Sequence, residues 1–107
     1  MYNPSAPAAV VAGHICLDIT PTFEGDRLLP LHKLISPGRL TRVGAADVHT
    51  GGCVANTGLA LHRLGVPTRL IAKVGADAFG GLVQSLLAAE DADAQLTVDS
   101  EVSTSYS

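Results

Sequence analysis

The hydrophobic pattern changes period several times along the chain, and each change marks an element. Residues 8–19, "AAVVAGHICLDI", open with a continuous apolar run that breaks at Gly13. Ile15, Leu17 and Ile19 then alternate with Cys16 and Asp18, which predicts a fully buried first strand running out into a loop, with Asp18 just beyond it. Residues 21–37 lose all periodicity and collect Pro, Gly and mixed charge, as a surface connection does. Two short β-like pieces follow, at 40–43 and 46–50, bent apart at Gly44, and together they predict a small hairpin or ribbon.

From residue 54 to 64 the period becomes helical. Val54, Gly58 and Leu61, with Ala55 and Leu59, recur on one side, and Gly65 stands where a helix-ending glycine belongs, with Pro67 beyond it. "TRLIAKVG" predicts a strand ending at Gly75. Asp77 is a natural N-cap for a second helix, whose core stripe is Phe79, Leu82, Val83, Leu86 and Leu87. "AQLTVDSEV" predicts a further strand, and "STSYS" has the character of another one beginning.

Strand, ribbon, helix, strand, helix, strand is the order of an α/β layer with a mostly parallel sheet. In such open sheets ligands bind beyond the carboxyl ends of the strands, where Asp18 and the pair Gly51–Gly52 can meet. Composition agrees with packed strands and helices, at 47% hydrophobic and 16% charged residues. A chain of 107 residues is at most one small domain. Alone it buries only about two-thirds of its unfolded surface.

Charge narrows the classes of partner. Seven basic residues, Arg27, Lys33, Arg39, Arg42, Arg63, Arg69 and Lys73, are scattered, and the net charge is −3, which argues against nucleic acid. The apolar run at residues 6–13 is too short to span a bilayer and has no basic start, so the expectation is a cytoplasmic protein with no membrane partner. Cys16 and Cys53 form no CxxC, and His14, His32, His49 and His62 share no ligand spacing, so no metal site is expected. Cys53 opens a helix, where a thiol can be activated, but no histidine is placed to serve as its base.

The candidate chemistry lies in "HTGGCVANTGLALHRLG", residues 49–65. A phosphate loop would need GxxxxGK[ST] and a dinucleotide fingerprint GxGxxG after a strand; neither occurs. What remains is a helix start with bare N–H groups at Gly51, Gly52 and Cys53, close backbone approach, and the amide of Asn56 one turn in. Such a site suits hydroxyl oxygens as well as anions. If Asp18 faces it, a polyol is favoured over a phosphate. The bland alternatives are a tight turn at the glycines, a solvated Asp18 and an Asn56 that satisfies first-turn backbone groups.

These residues carry a family resemblance. "VVAGHICLD", "SPGRLT", "GGCVANTGLALHRLG", "AKVGADAFG" and "STSYS", in that order, resemble the N-terminal third of a ribokinase-like (PfkB-type) carbohydrate kinase. The resemblance implies an incomplete ribokinase-like fold, a partial Rossmann-like α/β/α layer over residues 1–107 with a β lid ribbon at about 38–50. It implies ATP-dependent phosphorylation of a hydroxymethyl group on a sugar, or on a nucleoside as the alternative substrate, with Mg2+ as the companion ion. Asp18, Gly51, Gly52 and Asn56 would bind the substrate. Leu40, Val43 and Val48 would belong to the lid, which in relatives often makes a homodimer interface.

Where the chain departs from the family pattern, it alters the expectation. Val54 replaces a Gly, Ala or Pro and Gly58 a Ser, Thr or Ala, which implies a repacked helix start. Cys16 replaces an amide of ribose-specific relatives, making ribose a poorer candidate. The family's Gly-Ala-Gly-Asp anion hole and catalytic base, and its ATP pocket, have no counterpart in this sequence. The expectation is therefore a fragment with half a substrate site, no catalytic residue of its own, and no turnover alone; a non-catalytic sugar-binding module is the other reading.

Overall fold

The strands divide between two sheets. In the computed structural model, which describes residues 6–23 and 29–107, the order is β1 (Ala9–Ala12), β2 (Cys16–Pro21), the short helix α1 (Leu31–Leu34), β3 (Ala46–Gly51), α2 (Gly52–Arg63), β4 (Thr68–Gly75), α3 (Ala78–Ala89) and β5 (Asp93–Asp99). Arg27 and the middle of the 21–37 connection lie outside the described residues. A parallel sheet has the order β1-β4-β5, and an antiparallel ribbon joins β2 to β3. The α/β class with a mostly parallel sheet and a small ribbon is thus the observed architecture.

One core serves both sheets. Along β4 the alternation buries Thr68, Leu70, Ala72 and Val74 on one face. Against them pack Val54, Ala55 and Leu59 of α2, Val83 and Leu87 of α3, and Ile15 and Leu17 from the ribbon end. Each large apolar side chain so buried contributes roughly 1.5–3 kcal/mol. Gly58 lets α2 approach closely, since a Cβ there would run into the Leu70 side chain.

The first predicted strand is really two. At Gly13, with φ +145°, the chain turns out of the parallel sheet, and Ile15, Leu17 and Ile19 continue their alternation in the ribbon. Asp18 therefore sits within β2, not in a loop. Nor is the first strand fully buried, because β1 is an edge of the described sheet and Val10 is exposed. The predicted hairpin is also revised. Residues 40–43 form no strand, with Leu40 and Val43 exposed, and the strand at 46–51 pairs instead with β2.

Both long helices begin and end on sequence signals. Helix α2 starts two residues earlier than the apolar period suggests, directly after Gly51. It closes with Gly65 at φ +84°, where the Gly65 N–H donates to the His62 carbonyl and the Val66 N–H to that of Leu61, a paired C-terminal lock. Asp77 caps α3, accepting from the Gly80 N–H at 2.8 Å. Leu82 is exposed rather than core: it lies about 130° around the helix from the middle of the buried face formed by Gly80, Val83 and Leu87.

Helix α3 ends in the same lock, but with an aspartate where glycine is preferred. Asp91 has φ 55°, and its N–H and that of Ala92 donate to Ala88 and Leu87. Asp91→Gly is expected to raise stability by about 0.5–1 kcal/mol, because a side chain in the left-handed region carries a steric cost that glycine lacks. Urea denaturation of the two chains measures it.

Candidate functional site

The ribbon's alternation separates a core face from a chemical face. Leu17 and Ile19 turn into the core with Val48, so Cys16 and Asp18 turn the other way, beside Gly51 and His49 on β3. The register sets Asp18 directly opposite His49, and Cys16 opposite Gly51. β2 is also flanked on its other side. The Leu17 N–H donates to Ser105 at 3.0 Å, the Ser107 N–H to Leu17 at 3.0 Å and the Ile19 N–H to Ser107 at 2.8 Å, an isolated parallel bridge that lays residues 105–107 along β2.

Asp18 is half-buried at the centre of this face. Its Oδ1 accepts from the Ser107 hydroxyl at 2.7 Å and from the Cys16 thiol at 3.4 Å. Its Oδ2 stands 3.7 Å from His49 Nε2, and the other ring nitrogen stands 3.7 Å from Asp47. The Ser107 hydroxyl, then the Cys16 thiol and the nearby His49 hold the Asp18 carboxyl below its ordinary range, against a smaller opposing effect of desolvation. Asp18 is therefore an anionic acceptor at neutral pH. Burial and the adjacent Asp18 push the Cys16 thiol up, which keeps it protonated as a donor.

The glycines close in on the carboxylate. A Cβ at Gly51 would collide with the Asp18 carboxyl group, its carbon only 2.8 Å away. Gly52 begins α2 at φ +84°, with the His14 carbonyl 2.8 Å from where a Cβ would be. That same carbonyl accepts the Val54 N–H at 3.0 Å and faces the Cys53 thiol at 3.6 Å. The break between β1 and β2 is thereby tied to the first turn of α2.

Asp18 thus meets Gly51, with Gly52 next in the chain, while Asn56 lines a neighbouring cleft that shares His49 with this face. Asn56 is exposed on α2 and lines a cleft of about 290 Å³ with His49, Thr50, Arg63 and Glu90. Its amide makes no hydrogen bond to Asp18 among the described residues. Ser107 has no site role in the sequence reading, where Cys16 enters only as the replacement of an amide and His49 only as a possible neighbour of the substrate. Their signal was the period-2 spacing of Cys16 with Asp18 and of Ser105 with Ser107, which carries meaning only once the strands' partners are known.

Neither Mg2+ nor a nucleoside triphosphate fits the residues described. No three His, Cys, Asp or Glu side chains among them are arranged to hold a metal ion. The N-terminus of α3 is already filled by Asp77, and that of α2 is faced by Asp18, so an anion at either would meet a carboxylate. No helix among the described residues is long and apolar enough to cross a membrane.

Known proteins resemble this chain over most of its length. The family described as pfkB family carbohydrate kinase matches residues 8–106. The sugar kinase PH1459 of Pyrococcus horikoshii is 37% identical over 77 residues, covering 72% of this chain and 24% of the relative. Its solved structure in complex with ATP superimposes with a TM-score of 0.67 at 29% identity, over 92% of this chain and 28% of that one. Halothermothrix orenii fructokinase gives a TM-score of 0.64 at 31% identity, covering 92% of this chain and 31% of that one. Escherichia coli phosphofructokinase-2, in its tetrameric inhibited form, gives 0.73 at 22% identity, over 94% and 30% of the two chains, and speaks to the fold alone. The chain therefore spans between about a quarter and a third of the length of these relatives.

Proposed function

The chain belongs to the pfkB carbohydrate kinase family, and from that premise we propose that it is the substrate-binding part of an ATP-dependent kinase acting on the hydroxymethyl group of a sugar. The observation that carries this reading is the Asp18 carboxylate held against Gly51 at the start of α2. An ionised carboxylate accepts hydroxyl donors and repels a second anion, so the pairing selects a neutral polyol. Gly51 and Gly52 present backbone close to the bound sugar, and Asn56 adds a polar contact from the next turn of α2. The ribbon acts as a lid that excludes water and aligns the hydroxyl, the positioning on which phosphoryl transfer chiefly depends.

In the family's reaction ATP would supply the transferred phosphoryl group and Mg2+ would neutralise its charge, while the residues of this chain hold the acceptor hydroxyl. The chain spans about a quarter to a third of its relatives' length, and we infer that these 107 residues bind a sugar without turning it over. The exposed Leu40 and Val43, in the segment that leads into β3, are the apolar residues a homodimer would cover.

Calorimetric titration with a panel of neutral sugars and nucleosides tests the reading. The expected result is binding of a sugar that Asp18→Asn weakens by roughly ten-fold or more, as loss of a charged hydrogen-bond acceptor does. Binding confined to nucleosides would shift the substrate class. A folded chain that binds neither would overturn the site.

A further inference from the structure

We propose that Ser107 is a positioning residue for Asp18, fixing which oxygen of the carboxylate is free to accept a substrate hydroxyl. The proposal rests on the reading of Asp18 as the sugar-binding acceptor. Ser107 is 89 residues away in sequence, and only strand register delivers it. Its backbone is held on both sides, donating to Leu17 and accepting from Ile19, so the hydroxyl arrives at Asp18 Oδ1 from a fixed direction.

The two carboxylate oxygens are consequently unequal. Oδ1 already takes two donors, the Ser107 hydroxyl at 2.7 Å and the Cys16 thiol at 3.4 Å. Among the described residues Oδ2 has none at hydrogen-bond distance, since His49 Nε2 stands off at 3.7 Å. Oδ2 is also the atom lying closest over Gly51, toward the start of α2. A substrate hydroxyl therefore meets Oδ2, and Ser107 keeps that oxygen facing Gly51 at the start of α2. The titratable groups around the carboxylate are Cys16 on its own strand and His49 on the facing one, with Asp47 behind His49.

Without the Ser107 hydroxyl the carboxylate is free to rotate about its terminal torsion, a soft two-fold motion, and the inequality is lost. The remaining thiol donor is a weak one.

The test uses the 107-residue chain with Ser107→Ala and Ser107→Thr, carbon-detected NMR titration of the Asp18 carboxyl, and calorimetry with D-fructose and D-ribose as probes. Ser107→Ala is expected to move the Asp18 titration upward toward the ordinary carboxylate range and to weaken sugar binding roughly ten-fold. Ser107→Thr, which keeps the hydroxyl, is expected to restore both. An unmoved Asp18 titration in Ser107→Ala would overturn the proposal, as would an equal loss in Ser107→Thr, which would mark a defect of the strand and not of the hydroxyl. A moved titration with unchanged sugar affinity would also overturn it. If the unsubstituted chain binds neither probe, the sugar-site reading fails for these sugars, and the Asp18 titration alone then decides whether Ser107 orients the carboxylate.

Discussion

Replacing Gly52 with alanine is expected to destabilise the chain by about 2–4 kcal/mol and to abolish sugar binding, the largest effect of any single methyl group at the site. Two costs add. Gly52 has φ +84°, and a non-glycine residue in the left-handed region loses about 1–2 kcal/mol. The new Cβ would also stand 2.8 Å from the His14 carbonyl oxygen and 3.1 Å from the Ile15 Cα, both backbone atoms. Neither can give way cheaply, because the His14 carbonyl accepts the Val54 N–H that ties the strand break to α2.

Gly51→Ala should behave differently, and the contrast makes the argument testable. There the obstacle is the Asp18 side chain, which can rotate aside at the expense of its bonds to Ser107 and Cys16. Stability should suffer less than in Gly52→Ala while binding is lost all the same. Gly81→Ala serves as the control: nothing lies within 4 Å of its Cβ, and alanine is the better helix former. Urea denaturation at equal slope, with calorimetry on the folded fraction, separates the three. A Gly52→Ala chain as stable as Gly81→Ala would show that α2 does not need its left-handed start.

The elements that the sequence marked well are those whose signals are local. Gly65 and Asp77 cap their helices because the capping bonds lie within a few residues. β4 shows its buried face in its own alternation. The break at Gly13 was hidden because Ile15, Leu17 and Ile19 keep period two across it, and period reports which face is buried, not which strand is the partner. The same limit explains residues 40–43, whose apolar side chains suggested a strand but find no partner in the described structure.

The candidate site divides along the same line. Gly51–Gly52 and Asp18 were legible as residue types suited to hydroxyl recognition, and their contact depends on one cross-strand register that the helix start helps to fix. Ser107 was not, and the contacts of Cys16 and His49 with Asp18 were not, because they arise only where β2 lies between β3 and the 105–107 segment. Leu82 shows a related error at smaller scale. It is apolar and adjacent to the stripe, but the buried face of α3 is centred on Gly80, Val83 and Leu87, and a glycine contributes no hydrophobic signal to betray that centre.

The clamp that delivers Ser107 to Asp18 is itself a target, and Thr104→Val is expected to destabilise the chain by about 1–3 kcal/mol despite its matched shape. Thr104 is buried at 4% exposure. Its hydroxyl accepts the Gly75 N–H at 2.9 Å and donates to Asp77 at 2.6 Å, while its own N–H reaches the other Asp77 oxygen at 2.8 Å. Valine would leave the Gly75 N–H with no partner in a corner where even a Cβ on Gly75 or Gly80 has no room.

The loss should depend on pH in a definite sense. The Thr104 hydroxyl, followed by the Thr104 and Gly80 backbone N–H groups, holds the Asp77 carboxyl below its ordinary value in the folded chain. A depressed folded pKa contributes stability above the unfolded value of about 3.9, and that contribution disappears as pH falls through the folded pKa. The gap between the parent chain and Thr104→Val should therefore be widest at neutral pH and narrow below about pH 4. Urea denaturation at several pH values measures it, and a gap constant across the acid range would mean that the hydroxyl serves Gly75 alone. Because residues 105–107 follow directly from this clamp onto β2, the same substitution should loosen the Ser107 contact and raise the Asp18 titration at neutral fold content, linking the cap of α3 to the carboxylate that meets the sugar.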